Sequence, residues 1–280
     1  MIAYRAMLDV PRDLVRQVAT LLRAQRRARG TRKGSRALTC WSQALLVLAW
    51  FRTHGDIALV GAGFGVSRAT AYRYRDEVID VLATQAPDLH EAWGQVAEQG
   101  WSHLILDGKL FRTDRTAETT TSVKGTAINA WYSGKAHSFG GNVPAVIRPH
   151  GFPVWVSEVS AGHQHDLTVA RGMGLLGALY WAASQLGLPT LADGGYNGAG
   201  HGVHTPIKHP GGGRVLAPGN QTDNTLHRAS RCRGERGFVL LTGRWRALRR
   251  ITATPRRIGD YVKAGLVLLH MEQLQLRTPS

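Results

Sequence analysis

The sequence is poor in cysteine, in acidic residues and in long apolar runs. It contains two cysteines, Cys40 and Cys232, and neither belongs to a CxxC pair. We therefore expect no disulfide framework and no structural zinc site, as suits a reducing cytoplasm. The most apolar stretch, ALLVLAWF at 44–51, is too short to cross a bilayer, and residues 1–13 lack the apolar core of a signal peptide. These features predict a cytoplasmic protein without a membrane partner.

The shortage of acidic residues gives the chain a strong positive charge. Aspartate and glutamate number 19 against 35 lysines and arginines, so the formal net charge is +16. A polyanion is the natural partner of such a protein, and nucleic acid is the leading candidate. The 280 residues are 43% hydrophobic, which is enough to fill the core of one large domain or two ordinary ones.

The first 95 residues have the pattern of an all-α DNA-binding domain. Helices are predicted over 11–30 and 39–55, and residues 56–83 read as a short helix, a turn and a second helix. This pattern is typical of a helix-turn-helix, whose second helix enters the major groove, although an ordinary helical hairpin also fits it. The candidate DNA contacts on the second helix are Ser67, Arg68, Thr70, Arg73 and Arg75.

Beyond Gly100 the pattern changes to short strands rich in valine, isoleucine and tryptophan. Strands are predicted at 101–108, 141–151 and 153–162, a helix at 165–187, another strand from 188 and a helix at 227–250. This order predicts an α/β fold, a mixed sheet with flanking helices, over 96–280. Residues 85–94 would join it to the domain of residues 1–95.

Two predicted strands end alike, each with an aspartate followed by glycine. Asp107 closes HLILDG and Asp193 closes PTLAD. Ligands gather where the strands of an open sheet end, and two adjacent carboxylates need a cation such as Mg²⁺ or Mn²⁺ between them. Glu235, which lies among arginines, is the candidate for a third ligand. On the pattern alone, the aspartates also fit turn formers and Glu235 also fits an ion-pair partner.

Successive blocks of the chain resemble a known enzyme family. The blocks are LILDGKLFRTDR, WYSGKAHSFGGNV, PVWVSEVSAGHQHDLTVAR, LADGGYNGAGHGVHTPIK and NTLHRASRCRGERGFVLLTGRWRAL. In order and approximate spacing they resemble the DDE-superfamily endonucleases of bacterial insertion-sequence transposases. With the predicted helix-turn-helix, the likeness extends over most of the chain.

The resemblance implies an RNase H-like fold and a role for each acid. Asp107, Asp193 and Glu235 match the three acids that hold two Mg²⁺ or Mn²⁺ ions for cleavage and strand transfer. It also implies double-stranded DNA as partner, both terminal inverted repeats and target DNA, with a homo-oligomer on DNA near the bacterial nucleoid. Lys135 and His137 match positions suited to phosphate contacts, with an exposed loop as the alternative.

Other residues of these blocks have more local interpretations. Asp166 is expected to cap the helix that follows it, although support for the metal site is an alternative. His163 and His165 are expected to form local hydrogen bonds. Gly194 and Thr242 stand where the family usually has lysines, which would remove phosphate contacts but no metal ligand.

Three functions are compatible with the sequence. The three acids favour an enzyme, either an active transposase or an endonuclease, whereas Gly194 and Thr242 favour a decayed or repurposed protein that only binds DNA. A metal-dependent endonuclease without transposition is the third.

Overall fold

The computed structural model describes residues 8–277, which form two compact units. Unit 1 consists of residues 1–86, 241–249 and 260–280 as far as they are described, and unit 2 consists of 87–240 and 250–259. The helices are α1 (Arg12–Ala28), α2 (Cys40–Thr53), α3 (Ile57–Gly63), α4 (Arg68–Ala83), α5 (Leu89–Glu98), α6 (Asp166–Gly172), α7 (Leu175–Gln185), α8 (Pro218–Arg231), α9 (Gly234–Arg244) and α10 (Ile258–Arg277). The strands are β1 (Leu104–Arg112), β2 (Thr119–Thr121), β3 (Ala127–Asn129), β4 (Tyr132–Ser133), β5 (Ser138–Ile147), β6 (Pro153–Val156), β7 (Ser160–Ala161), β8 (Thr190–Leu191) and β9 (Val203–His204).

Unit 1 begins with helices that have clear start signals in the sequence. The Thr39 side chain accepts a hydrogen bond from Ser42 N and so caps α2. The Ser67 side chain accepts one from Thr70 N at the start of α4. Between α3 and α4, Gly65 has φ +70°, a conformation that favours glycine and reverses the chain. The predicted helix, turn and helix of 56–83 are thus formed.

The helix pair α3 and α4 packs unusually closely. A Cβ built on Gly61 would lie 2.5 Å from the Ala71 Cβ, so only glycine allows this approach. Segments from the far end of the chain also belong to unit 1. Trp245 lies 6.0 Å from Phe51 and Tyr261 lies 5.9 Å from Trp50, measured between ring centroids, and both pairs are edge-on.

Unit 2 contains a mixed sheet with the strand order β4-β5-β1-β8-β9, in which β6 and β7 also pair with β5. β1 pairs antiparallel with β5 and parallel with β8, and β8 pairs parallel with β9. Leu104, Leu106 and Val146 of the sheet are fully buried together with Leu179 of α7. This is the RNase H-like α/β fold that the sequence predicts.

Several predicted elements differ in their boundaries. The helix expected at 165–187 is two helices, because Gly174 at φ +67° separates α6 from α7. The helix expected at 227–250 is likewise divided into α8 and α9. The hairpin β2–β3 was not predicted, since its strands have three residues each and are largely exposed.

Candidate active site

The parallel strands β1 and β8 bring Asp107 and Asp193 to the same edge of the sheet. Ile105 is paired with Leu191, and each aspartate stands two positions beyond its strand's paired residue. Residues two apart project on the same face, so the two carboxylates share one side. Asp107 lies within β1 and not at its end as predicted, because β5 continues to pair there, with Ala145 opposite Asp107.

Both carboxylates are held by backbone amides of the glycines that follow them. Gly108 N donates to Asp107 Oδ1 at 3.1 Å, and Gly195 N donates to Asp193 Oδ1 at 2.8 Å. The second bond caps the short 3₁₀ turn at Gly194–Tyr196. The carboxylates are therefore oriented by local backbone geometry and keep their other lone pairs for a ligand.

A third carboxylate, that of Asp166, lies against the same two glycines. A Cβ built on Gly108 would be 2.8 Å from Asp166 Oδ1, and one built on Gly195 would be 3.0 Å from Asp166 Oδ2 and 2.9 Å from Asp193 Oδ1. Any larger residue at 108 or 195 would collide with these oxygens. The glycines are needed for the close approach of the three acids.

Asp166 does not cap α6 as expected. The N-cap position is His165, which makes no side-chain capping bond. Asp166 instead accepts a hydrogen bond from Asn142 Nδ2 at 2.7 Å, and the Lys135 amino group is 3.9 Å from its Oδ2. The sequence interpretation missed this because the partner, Asn142, comes from a distant strand.

Burial, with a smaller contribution from the two neighbouring acids, disfavours the charged form of Asp107. Burial raises the pKa of Asp107 from 3.8 to about 6, the nearby Arg231 guanidinium opposes this rise, and the negative charges of Asp193 and Asp166 add to it. Arg231 Nη1 lies 4.0 Å from Asp107 Oδ1. A bound cation would relieve this repulsion.

Tyr196 is a buried neighbour of the three acids. Burial raises the pKa of its hydroxyl far above the usual range, and the charges of Asp166, Asp107 and Asp193 raise it further. Among the described residues, the buried hydroxyl has no hydrogen-bond partner. Such an orphaned group is costly unless a ligand or water satisfies it. Neither the sequence pattern nor the family blocks singled out this tyrosine.

The donor set suits a hard divalent cation. Carboxylate oxygens are the preferred ligands of Mg²⁺ and Mn²⁺, and three of them converge here with an orphaned hydroxyl beside them. Within residues 8–277, no three histidine, cysteine, aspartate or glutamate side chains are already arranged so that they could hold a metal ion. A cation would have to draw the carboxylates together.

Glu235 lies beside this group, but its side chain points into solvent. It is the second residue of α9, and the preceding Gly234 packs on β1. A Cβ built on Gly234 would be 2.7 Å from Ile105 Cγ2 and 4.0 Å from Asp107 Oδ2. Neither Arg233 nor Arg236 forms an ion pair with Glu235 in the described part of the chain. The alternative interpretation as an ion-pair partner therefore has no support.

Lys135 and His137 both lie in the exposed turn between β4 and β5. Lys135 is 81% exposed, and His137 adopts φ +46°. Of the two, the structure brings Lys135 to the carboxylates. His163 forms a hydrogen bond, but not a local one: its Nδ1 is 2.7 Å from the carbonyl oxygen of Ala130, which is 33 residues away in the sequence. His165 is exposed.

Four of the five candidate DNA contacts on the second helix are accessible. Ser67, Arg68 and Arg73 are exposed and Thr70 is half-buried. Arg75 is only 5% exposed, hydrogen-bonds Asp76 at 2.8 Å and lies over the Tyr72 ring at 4.7 Å. It is a packing residue of unit 1, so it leaves the set of candidate contacts.

Searches of curated sequences and of solved structures gave no match. No helix in the described residues combines the length and apolar character that a bilayer crossing requires. The helix-turn-helix model of DDE superfamily endonucleases matches residues 36–88. The model described as DDE superfamily endonuclease matches residues 106–270, more than half of the chain, and the protein therefore belongs to the DDE superfamily of endonucleases.

Proposed function

We propose that this protein is a DNA transposase that binds terminal inverted repeats, cleaves DNA beside them and joins the ends to target DNA. The observation that carries the proposal is the convergence of Asp107 and Asp193 from adjacent parallel strands, two positions beyond the Ile105–Leu191 pair. The family membership and the positive charge agree with a DNA substrate.

The chemistry would be phosphoryl transfer at a DNA phosphodiester. Two bound Mg²⁺ or Mn²⁺ ions would supply activation of the nucleophile and neutralisation of the phosphate. Asp107 and Asp193 would hold them, with Asp166 and Asn142 fixing the geometry from the side. A water oxygen would attack phosphorus as the bond to the 3′ oxygen breaks, which leaves a 5′-phosphate and a 3′-hydroxyl. That 3′-hydroxyl would then attack a phosphate of the target strand, whose bond to the target's own 3′ oxygen breaks and leaves a 3′-hydroxyl on the target.

Glu235 is proposed as the third ligand, as the family resemblance implies. Its backbone is held next to Asp107 by the packing of Gly234 on Ile105. A glutamate has three side-chain torsions, and the proposal requires a rotamer that turns its carboxylate from solvent towards the aspartates.

DNA recognition is assigned to residues 1–95 and catalysis to residues 96–280. Ser67, Arg68, Thr70 and Arg73 of the α4 region would face the major groove, and Lys135 and His137 would contact phosphate near the acids. Assembly of several copies on the DNA of the nucleoid is part of the same proposal.

The test separates transposition from simple cleavage and from DNA binding alone. The full chain is incubated with Mg²⁺, DNA carrying the repeats that flank its gene, and a target plasmid. Joined products are expected, and they should disappear with Asp193→Asn but persist with Asp223→Asn, an exposed acid on α8. Cutting without joining would reduce the function to that of an endonuclease. Binding without cutting would identify a decayed protein and contradict the proposal.

A further inference from the structure

A cavity of about 950 Å³ opens beside the three acids within unit 2. Gly108 and Gly195, the neighbours of the two strand aspartates, line the cavity together with Asp166. The lining also includes Asn129 of the β2–β3 hairpin, Tyr132 of β4 and Lys135 of the turn between β4 and β5. The volume falls at the upper end of the range typical of small-ligand pockets, roughly 300–1,000 Å³.

The cavity lining includes an aromatic ring that is not fully packed. The Tyr132 ring meets Phe139 edge-on at 5.2 Å between centroids, and Tyr132 remains 36% exposed. Because Tyr132 is exposed, part of its ring is accessible for stacking. Exposed aromatic rings beside a cationic group are typical of sites for unpaired nucleic-acid bases.

Lys135 provides the charge that a nucleotide requires. Its side chain is 81% exposed, and its amino group stands 3.9 Å from Asp166. It therefore lies between the cavity and the acids, where it can neutralise a phosphate on the strand that runs from one to the other.

We propose that this cavity binds one unpaired nucleotide of the DNA strand, adjacent to the phosphate that is cleaved. The base stacks on Tyr132, and its phosphate lies beside Lys135. The inference rests on the proposed function, because it takes the neighbouring acids as the cleavage site. It predicts that the protein engages DNA in which the strand is locally opened.

The test compares the binding of a forked duplex, with one unpaired arm, and of the same sequence fully paired. Binding of the full chain is measured in EDTA by fluorescence anisotropy, so that no cleavage is needed. The wild type should bind the forked DNA more tightly. Tyr132→Leu should weaken binding of the forked DNA at least about fivefold and leave binding of the paired DNA unchanged.

Two further variants make the result specific. Tyr132→Phe keeps the ring and should keep the preference for forked DNA. Tyr180→Leu removes another exposed tyrosine, 52% exposed on α7, and should have no effect. A 5-iododeoxyuridine placed in the unpaired arm should become crosslinked to Tyr132 when the complex is irradiated.

Equal affinity of the wild type for both DNAs, or a preference that survives Tyr132→Leu, would overturn the inference. A failure of the proposed function shows differently, as absence of cleavage or joining in Mg²⁺ while the forked preference persists.

Discussion

At the residue scale, Asp107 is the most perturbed of the acids. It is largely buried beside two other carboxylates, and burial is the main cause of its pKa of about 6. The cost of holding this charge without a cation is a measurable property of the folded protein.

We expect Asp107→Asn to stabilise the metal-free protein, because the amide removes a charge that folding buries. When an acid has a higher pKa in the folded chain than in the unfolded chain, the free energy of unfolding falls as pH rises from about 4 to about 6. Above that range it stays at the lower value. The gain from the variant should therefore be roughly 2–3 kcal/mol near pH 7.5 and shrink towards pH 4.

Urea unfolding in EDTA at several pH values measures this gain. Asp114→Asn is the control, since that side chain is half exposed and pairs with Arg250 at the surface; its effect should stay within about 1 kcal/mol at every pH. A destabilising Asp107→Asn at pH 7.5 would show that the charge strain described here is wrong.

Gly194 stands where the family usually has a lysine, and the site has room for one. A Cβ at this position would meet only Asn197 Nδ2, at 3.5 Å. Gly194→Lys should therefore fold normally, strengthen DNA binding several-fold and steepen the salt dependence by about one phosphate contact. Filter binding across a salt series measures both. Gly177→Lys, at an open position on α7, is the charge-matched control. If both variants increased DNA affinity equally, the added lysine would act through net charge alone and not through a phosphate contact at position 194.

At the scale of single elements, α4 separates an exposed arginine from a buried one. Arg73→Ala should weaken DNA binding roughly fivefold or more without loss of stability, because the side chain is exposed. Arg75→Ala should cost about 2–4 kcal/mol of folding free energy, because it leaves Asp76 and the rings of Trp50 and Tyr261 without their cation.

Gel shifts and thermal unfolding of the same preparations distinguish the two effects. Arg16→Ala, an exposed α1 residue paired with Asp13, provides the baseline for loss of one positive charge. A stable Arg75→Ala protein with lost DNA affinity would restore Arg75 to the recognition surface.

Element type was easier to predict than the placement of the acids. The caps at Thr39 and Ser67 and the helical periodicity of 56–83 are local signals, so α2, α3 and α4 follow from the sequence.

Asp107 was expected at a strand end because the apolar run stops there. The pairing of Asp107 with Ala145 of β5 continues the strand, and such non-local pairing leaves no mark in the sequence around residue 107.

At the scale of the whole molecule, two segments from the C-terminal part of the chain belong to unit 1. The expected boundary near residue 95 treats each domain as one continuous segment, whereas unit 1 also contains 241–249 and 260–280. Arg52 donates to the Arg244 carbonyl, and Arg244 in turn pairs with Glu272 within that unit. Arg52 and Arg244 are 192 residues apart in the sequence. Helical periodicity is a local pattern and therefore did not predict their contact.

A fragment of residues 1–95 should consequently be much less stable than the same residues in the full chain. It would expose the faces of Trp50 and Phe51 that Tyr261 and Trp245 cover. Circular dichroism should show a broad thermal transition for the fragment, with weak DNA binding. A cooperative transition at the midpoint of the full chain would mean that the C-terminal segments contribute little to unit 1.

The central claim is that Asp107, Asp193 and Glu235 act together as the ligands of a catalytic metal site. Its most direct test is the Mg²⁺- and Mn²⁺-dependent cleavage of repeat-bearing DNA by Asp107→Asn, Asp193→Asn, Glu235→Gln and their double variants, with DNA binding measured in parallel. Each single variant should lose cleavage by at least about a hundredfold and keep DNA binding, and the doubles should lose little more, since groups that act as a unit are non-additive. Near-normal cleavage by a folded Glu235→Gln, together with its loss in Asp166→Asn, would contradict the claim and make Asp166 the third ligand.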